Sequence, residues 1–81
     1  MSKFDATRIE AIRTMIKEGR GEDAVYAATR YACEIVNNED DVKEMTKSFS
    51  LGKITQEDFL GTCQRWKEHV RKEILEEAIK E

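Results

Sequence analysis

The sequence predicts an all-α protein, a small four-helix bundle whose C-terminal helix is the longest. Apolar residues recur every three or four positions along nearly the whole chain, which is the spacing that gives a helix one apolar face. No segment alternates apolar and polar residues between turn signals, as a half-buried strand would. Because 81 residues are too few for two separate cores, we interpret residues 1–81 as a single helical domain.

The first helix is predicted over residues 6–18. Asp5 is a suitable N-cap residue, and Phe4 before it can pack on Ile9 in the first turns. Gly19 follows the helix, where a glycine adopts the left-handed conformation at low cost. The apolar face consists of Ile9, Ile12 and Ile16.

A second helix is predicted over residues 22–37. It begins with Glu22 and Asp23, whose carboxylates favour the positive end of the helix dipole. The chain contains no proline, so the pair Asn37 and Asn38 is the expected stop. One wide face is apolar and rich in alanine, so a neighbouring helix can approach closely there. The alanines are Ala24, Ala27, Ala28 and Ala32.

The third helix is short, about residues 39–50. Acidic residues occupy its N-terminus, and Val42, Met45 and Phe49 follow along one apolar face. Gly52 closes the helix, so a turn is expected before the next one.

The fourth helix is predicted over about residues 56–80, with Thr55 as its N-cap. It should be about 37 Å long, against about 20–24 Å for the first two helices, so its C-terminal half is expected to extend beyond the bundle. Apolar side chains in that half would then either cover the start of the bundle or bind another chain, and an exposed apolar patch usually marks an interface. We therefore predict a homodimer that associates through Trp66, Val70, Ile74, Leu75, Ala78 and Ile79.

Composition argues against several classes of protein. The longest uncharged runs, such as Ala24–Thr29, are far shorter than the roughly 20 apolar residues of a membrane span. Residues 1–5 lack the apolar segment of a secretory signal. Two cysteines are too few for a disulfide scaffold, so Cys33 and Cys63 are interpreted as reduced core residues of a cytoplasmic protein.

The residues capable of catalysis or metal binding do not form a motif, so we expect neither an enzyme nor a cofactor. His69 is the only histidine, and Cys63, six residues earlier, falls on another face of the helix. This spacing does not fit a zinc site. A di-iron bundle needs a glutamate three residues before its histidine, and that position is Trp66.

Residues 51–59 resemble the second half of an EF-hand calcium loop, with Gly52 as the turn glycine and Asp58 as the closing acid. The first half does not match the family. Loop positions one, three and five would be Lys47, Phe49 and Leu51. None of these side chains offers a carboxylate to calcium. The segment therefore indicates a capped turn between two helices, and no calcium site is expected.

Acidic residues at the start of the third and fourth helices are the most pronounced charge feature. One role is to charge the helix N-termini. They can also present carboxylates to a basic partner surface, including one that normally holds nucleic acid. We call these residues the acidic corner: Glu39, Asp40, Asp41, Glu44, Glu57 and Asp58.

Basic residues on the first and fourth helices support an alternative function, a dimeric nucleic-acid-binding regulator. Clusters of lysine and arginine beside an aromatic residue can hold phosphates and bases. Glutamates interleave with the second cluster at salt-bridge spacing, which favours a solvated surface instead. The basic residues are Arg13, Lys17, Arg20, Arg65, Lys67, Arg71 and Lys72.

The predicted function is that of a small non-catalytic protein–protein interaction module, of the inhibitor, antagonist or adaptor type. It would bind a protein partner through the acidic corner and exposed apolar positions such as Leu75 and Ile79. Trp66 lies on the apolar stripe of the fourth helix and is expected in the core.

Overall fold

The structure is a computed structural model that describes residues 3–80. These residues form four helices and no strand, which confirms the predicted all-α small bundle. Every helix end lies within one residue of its predicted position. None of these helices is long and apolar enough to cross a membrane. The helices are α1 (Ala6–Lys17), α2 (Gly21–Asn37), α3 (Asp40–Ser50) and α4 (Gln56–Ile79).

The helix ends follow the residues that predicted them. The Asp5 carboxylate accepts a hydrogen bond from the Thr7 amide at 2.8 Å, and the Thr55 hydroxyl accepts one from the Asp58 amide at 3.1 Å. Gly19 and Gly52 have φ angles of 77° and 75°, in the left-handed region that glycine enters without a steric penalty. Local chain chemistry therefore sets where α1 and α4 begin and where α1 and α3 end.

The largest helix–helix contact joins α2 and α4. Ala24, Ala28 and Ala32 are buried on the face of α2 that enters the core, as the alanine-rich face predicted. Small side chains let the two helices approach closely, and Val36 and Ile74 are the largest side chains that are fully buried. The α2–α4 pair is therefore the centre of the molecule.

The other two helices pack on different halves of α4. Arg13 of α1 donates hydrogen bonds to the Ala78 and Glu77 carbonyl oxygens near the end of α4. Phe49 of α3 stacks on Phe59 near the start of α4, with ring centroids 5.0 Å apart. Within residues 3–80, α1 and α3 do not touch.

The resulting shape is elongated and flat. The Cα extents are 46 × 25 × 14 Å and the radius of gyration is 14.7 Å, against about 12 Å for a compact domain of this length. The core lies mainly between α1, α2 and α4, and α3 contributes Val42 to it. The α3–α4 hairpin extends from this core.

The prediction that the C-terminal half of α4 is left uncovered is wrong. Ile74 is 0% exposed, and Val70 and Ala78 are also buried against the chain's own helices. Trp66 and Leu75 are half-buried, and only Ile79 is largely exposed, at 66%. The fourth helix is longer than the first two, as predicted. It is the N-terminal half of α4 that extends beyond α1, and α3 packs on that half.

Candidate functional site

A cleft of about 420 Å³ lies between the start of the described chain, α2 and α4. It combines aromatic side chains with charged ones, which is typical of binding sites in small domains. The residues that line it are Lys3, Phe4, Tyr31, Ile35, Glu39, Trp66, His69, Val70 and Glu73.

The aromatic wall of the cleft is held in place by contacts between α2 and the segment before α1. The ring of Phe4 meets the ring of Tyr31 edge-on, with centroids 6.1 Å apart. The Tyr31 hydroxyl accepts a hydrogen bond from the Asp5 amide at 2.8 Å. The Arg8 guanidinium lies 4.3 Å from the Tyr31 ring centroid. These three contacts fix Tyr31, so this wall is formed before any ligand binds.

The charged groups of the cleft centre on Glu73. Its carboxylate lies 2.8 Å from the Lys3 ammonium and 3.0 Å from Nε2 of His69. The hydrogen bond from Lys3 is the main cause that lowers the pKa of Glu73 below its ordinary value, while desolvation opposes the shift. Glu73 is therefore a carboxylate at neutral pH and ties the N-terminal segment to α4.

The lowered pKa of Glu73 predicts a loss of stability on the acid side. Ionised Glu73 stabilises the fold above the ordinary glutamate pKa of 4.5, and this contribution disappears as the pH falls through the lower folded-state value. Glu73→Gln removes the contribution of Glu73 to the pH dependence of stability. The stability of this variant should therefore fall less steeply than that of the wild type between about pH 6 and pH 3. Thermal melts across this range measure the slopes.

Glu68→Gln is the control for that experiment. Glu68 also lies on α4, but its carboxylate accepts a hydrogen bond from the Gln64 amide at 3.3 Å instead of facing a cation. Its slope should stay close to that of the wild type. If Glu73→Gln and wild type give the same slope, the ion pair contributes nothing to folding.

The structure divides the acidic corner into two separate groups. Glu39 lines the cleft beside Trp66 and His69. Glu57 lies nine residues before Trp66 on the same helix, which is about 14 Å along its axis. The hairpin is antiparallel, so the N-termini of α3 and α4 lie at opposite ends of α3. Glu39, Asp40, Asp41 and Glu44 remain together, while Glu57 and Asp58 do not join them.

The basic residues predicted on the first helix form a basic stripe, Arg13, Lys17 and Arg20, and most of it is occupied by contacts within the chain. The Arg13 guanidinium donates to the carbonyl oxygens of Ala78, Glu77 and Lys80 and pairs with Glu10. Only Lys17 of this stripe is exposed without a described ion pair. Arg20 pairs with two acids, Glu18 and Asp23.

The hydrogen bond from Arg20 to Asp23 is the largest cause that raises the Arg20 pKa above its ordinary value. Arg20 and Arg13 therefore have acidic or carbonyl partners in the fold.

The basic residues of α4 do not form one stripe either. Lys67 and Arg71, four residues apart, share one face and are half-buried, whereas Arg65 and Lys72 are exposed on another. Arg65 donates to the Thr62 hydroxyl at 3.3 Å. The structure therefore does not bring the four cations together beside Trp66.

Metal-ligating side chains do not cluster in the described part of the chain. Cys63 is buried and Cys33 half-buried, and neither lines the cleft. Within residues 3–80, no three side chains of histidine, cysteine, aspartate or glutamate are placed to hold a metal ion. His69 is 70% exposed and faces Glu73.

Sequence reasoning missed most of this cleft. Lys3, Tyr31 and Glu73 are distant in sequence, and each alone looks like an ordinary surface or core residue. Trp66 is half-buried and packs against the core, so the expectation that it lies in the core is confirmed only in part. Trp66 lies four residues before the buried Val70, so the spacing predicted its helix face correctly but not its degree of burial.

The chain was compared with known proteins. No protein-family model, no curated protein and no solved structure matches it.

Proposed function

We propose that this protein is a small non-catalytic interaction module that binds a partner protein through the cleft. The observation that carries this proposal is the half-buried Trp66 beside an exposed Glu39 in a cleft whose aromatic wall is fixed. Tryptophan is enriched at the centres of protein interfaces because it buries a large area and retains a polar N–H. An inhibitor, antagonist or adaptor would use such a surface.

The proposed partner is a different protein rather than a second copy. The stripe on α4 is no longer available for self-association, because Val70, Ile74 and Ala78 fill the core of their own chain. Of the six residues predicted to self-associate, only Ile79 is largely exposed, and alone it offers too little apolar area for a stable dimer through this stripe, which needs about 800 Å² from each partner. Both cysteines are free, which favours a reducing compartment such as the cytoplasm.

Capture experiments with paired variants test this proposal. A protein captured from native lysate by the wild type should be lost with Trp66→Ala and with Glu39→Arg, since both change the cleft. Tyr26→Ala removes an aromatic ring and Glu57→Arg reverses an acidic charge at exposed positions outside the cleft, and both variants should retain the captured protein. Circular dichroism melts show whether Trp66→Ala remains folded. Glu39→Arg tests the cleft without removing a packed side chain.

Two outcomes would overturn the proposal. If all four variants capture the partner equally, binding occurs on another surface. If capture is abolished by nuclease treatment and weakens steeply with salt, the bound species is nucleic acid, as the alternative function predicts.

A further inference from the structure

One end of the cleft already holds a lysine side chain. The Lys3 ammonium lies 2.8 Å from the Glu73 carboxylate and 5.4 Å from the ring centroid of Phe4. A carboxylate together with an aromatic ring stabilises an ammonium group through an ion pair and a cation–π contact. This part of the cleft therefore shows which ligand chemistry its groups accept.

The other end of the cleft offers the same two kinds of group. Glu39 supplies a carboxylate and Trp66 an indole, the ring that binds cations best. Glu39 is exposed, its side chain does not cap α3, and within residues 3–80 no cation pairs with it. Asp40 and Asp41 follow it in the chain, in the first turn of α3, and add negative charge next to it. Ile35, four residues before Glu39, also lines the cleft and provides apolar surface.

We propose that the cleft binds a lysine or arginine side chain of the partner protein, with its charge between Glu39 and Trp66. This inference rests on the proposed function and names the partner's chemistry. The aliphatic stem of the bound residue would lie against Ile35, as long basic side chains do on apolar surfaces. Lys3 is the internal competitor, because its ammonium occupies the neighbouring carboxylate and repels a second cation.

A blocked trilysine peptide, acetylated and amidated, serves as the probe. Trp66 is the only tryptophan, so its fluorescence reports on the cleft alone. Trilysine should change this fluorescence saturably and shift the backbone amide signals of Glu39, Trp66 and His69. Blocked triglutamate at the same concentration should change neither. The affinity should fall as salt is added, since the contact is electrostatic.

Two pairs of variants separate a specific site from general attraction. Glu39→Gln should weaken trilysine binding about five-fold, the effect of one exposed charge pair. Glu57→Gln removes the same charge outside the cleft and should not weaken it. Lys3→Gln should strengthen binding about two- to five-fold because the competitor is gone. Lys53→Gln, which removes a cation from the exposed turn before α4, should leave it unchanged.

The proposal is overturned if trilysine leaves the cleft signals unchanged, or if each variant and its control give equal affinities. These results are distinguishable from a failure of the proposed function. If a partner is captured in a Trp66-dependent way but trilysine does not bind, the proposed interaction module is supported and the proposed cationic ligand is contradicted. Saturable trilysine binding without any cleft-dependent protein partner would support the cationic ligand and contradict the proposed interaction module.

Discussion

Replacing Ile74 by alanine is expected to lower the free energy of unfolding by about 2–5 kcal/mol. Ile74 is 0% exposed and is one of the two largest fully buried side chains. Truncation removes its apolar contacts and leaves a cavity that the surrounding helices fill only partly. Urea denaturation followed by far-ultraviolet circular dichroism measures the loss.

Ile79→Ala makes the same substitution five residues later on the same helix and is the matched control. Ile79 is 66% exposed, so its replacement should change stability by less than about 0.5 kcal/mol. Sedimentation of both variants should match that of the wild type, because Ile74 is buried within its own chain and Ile79 alone is too small a surface for the dimer that the sequence predicted. Equal small losses for the two variants would place Ile74 on the surface, as the sequence had suggested.

The helices themselves were predictable because their ends depend on local chemistry. Asp5 and Thr55 accept hydrogen bonds from nearby amides, and Gly19 and Gly52 take positive φ angles. None of these features requires knowledge of the rest of the fold. The alanine face of α2 was also predictable, since small side chains at helical spacing indicate a close helix contact.

The arrangement of the helices around α4 was not predictable in the same way. A continuous apolar stripe along a long helix looks identical whether one helix covers it or two different helices cover its two halves. In this fold α3 covers the half that contains Phe59, and α1 lies against the end that contains Ala78. The sequence indicates the lengths and apolar faces of the helices, but not which helix packs on each half of α4. The C-terminal half of α4 was therefore wrongly predicted to be uncovered.

The cleft could not be predicted because it depends on pairs that are distant in sequence. Lys3 meets Glu73 across 70 positions, and the Asp5 amide meets the Tyr31 hydroxyl across 26. No local motif indicates such pairs. Glu39 was identified from charge alone, and the structure changes its surroundings, placing it beside Trp66 and away from the acids of α4.

Arg13 shows how an isolated charge pattern can mislead. Helical spacing placed it on a basic stripe facing solvent. In the fold its guanidinium reaches the last turn of α4, where carbonyl oxygens have no partners within the helix. It donates to the oxygens of Ala78, Glu77 and Lys80 at 3.0, 3.2 and 2.9 Å. A cation at this end also favours the helix dipole, and the last turn of α4 contains no basic residue of its own.

Arg13→Met should therefore lower the free energy of unfolding by about 2 kcal/mol, the range for hydrogen bonds that involve a charged group. The loss should be accompanied by faster hydrogen exchange at amides 77–80, because the end of α4 loses its anchor to α1. Arg13→Lys keeps the charge but not the planar fork that spans several carbonyls, so its loss should be intermediate.

Lys17→Met removes a cation from the same stripe, at a side chain for which no hydrogen bond is described. It should lower the free energy of unfolding by less than about 0.5 kcal/mol. If Arg13→Met and Lys17→Met cost the same, the guanidinium contacts contribute no stability. Arg13 would then be available as a surface cation, and the nucleic-acid alternative would regain one of its residues. A larger cost confined to Arg13, with exchange accelerated only at the end of α4, assigns this arginine to the fold and leaves the cleft as the surface that presents charge and aromatic area to a partner.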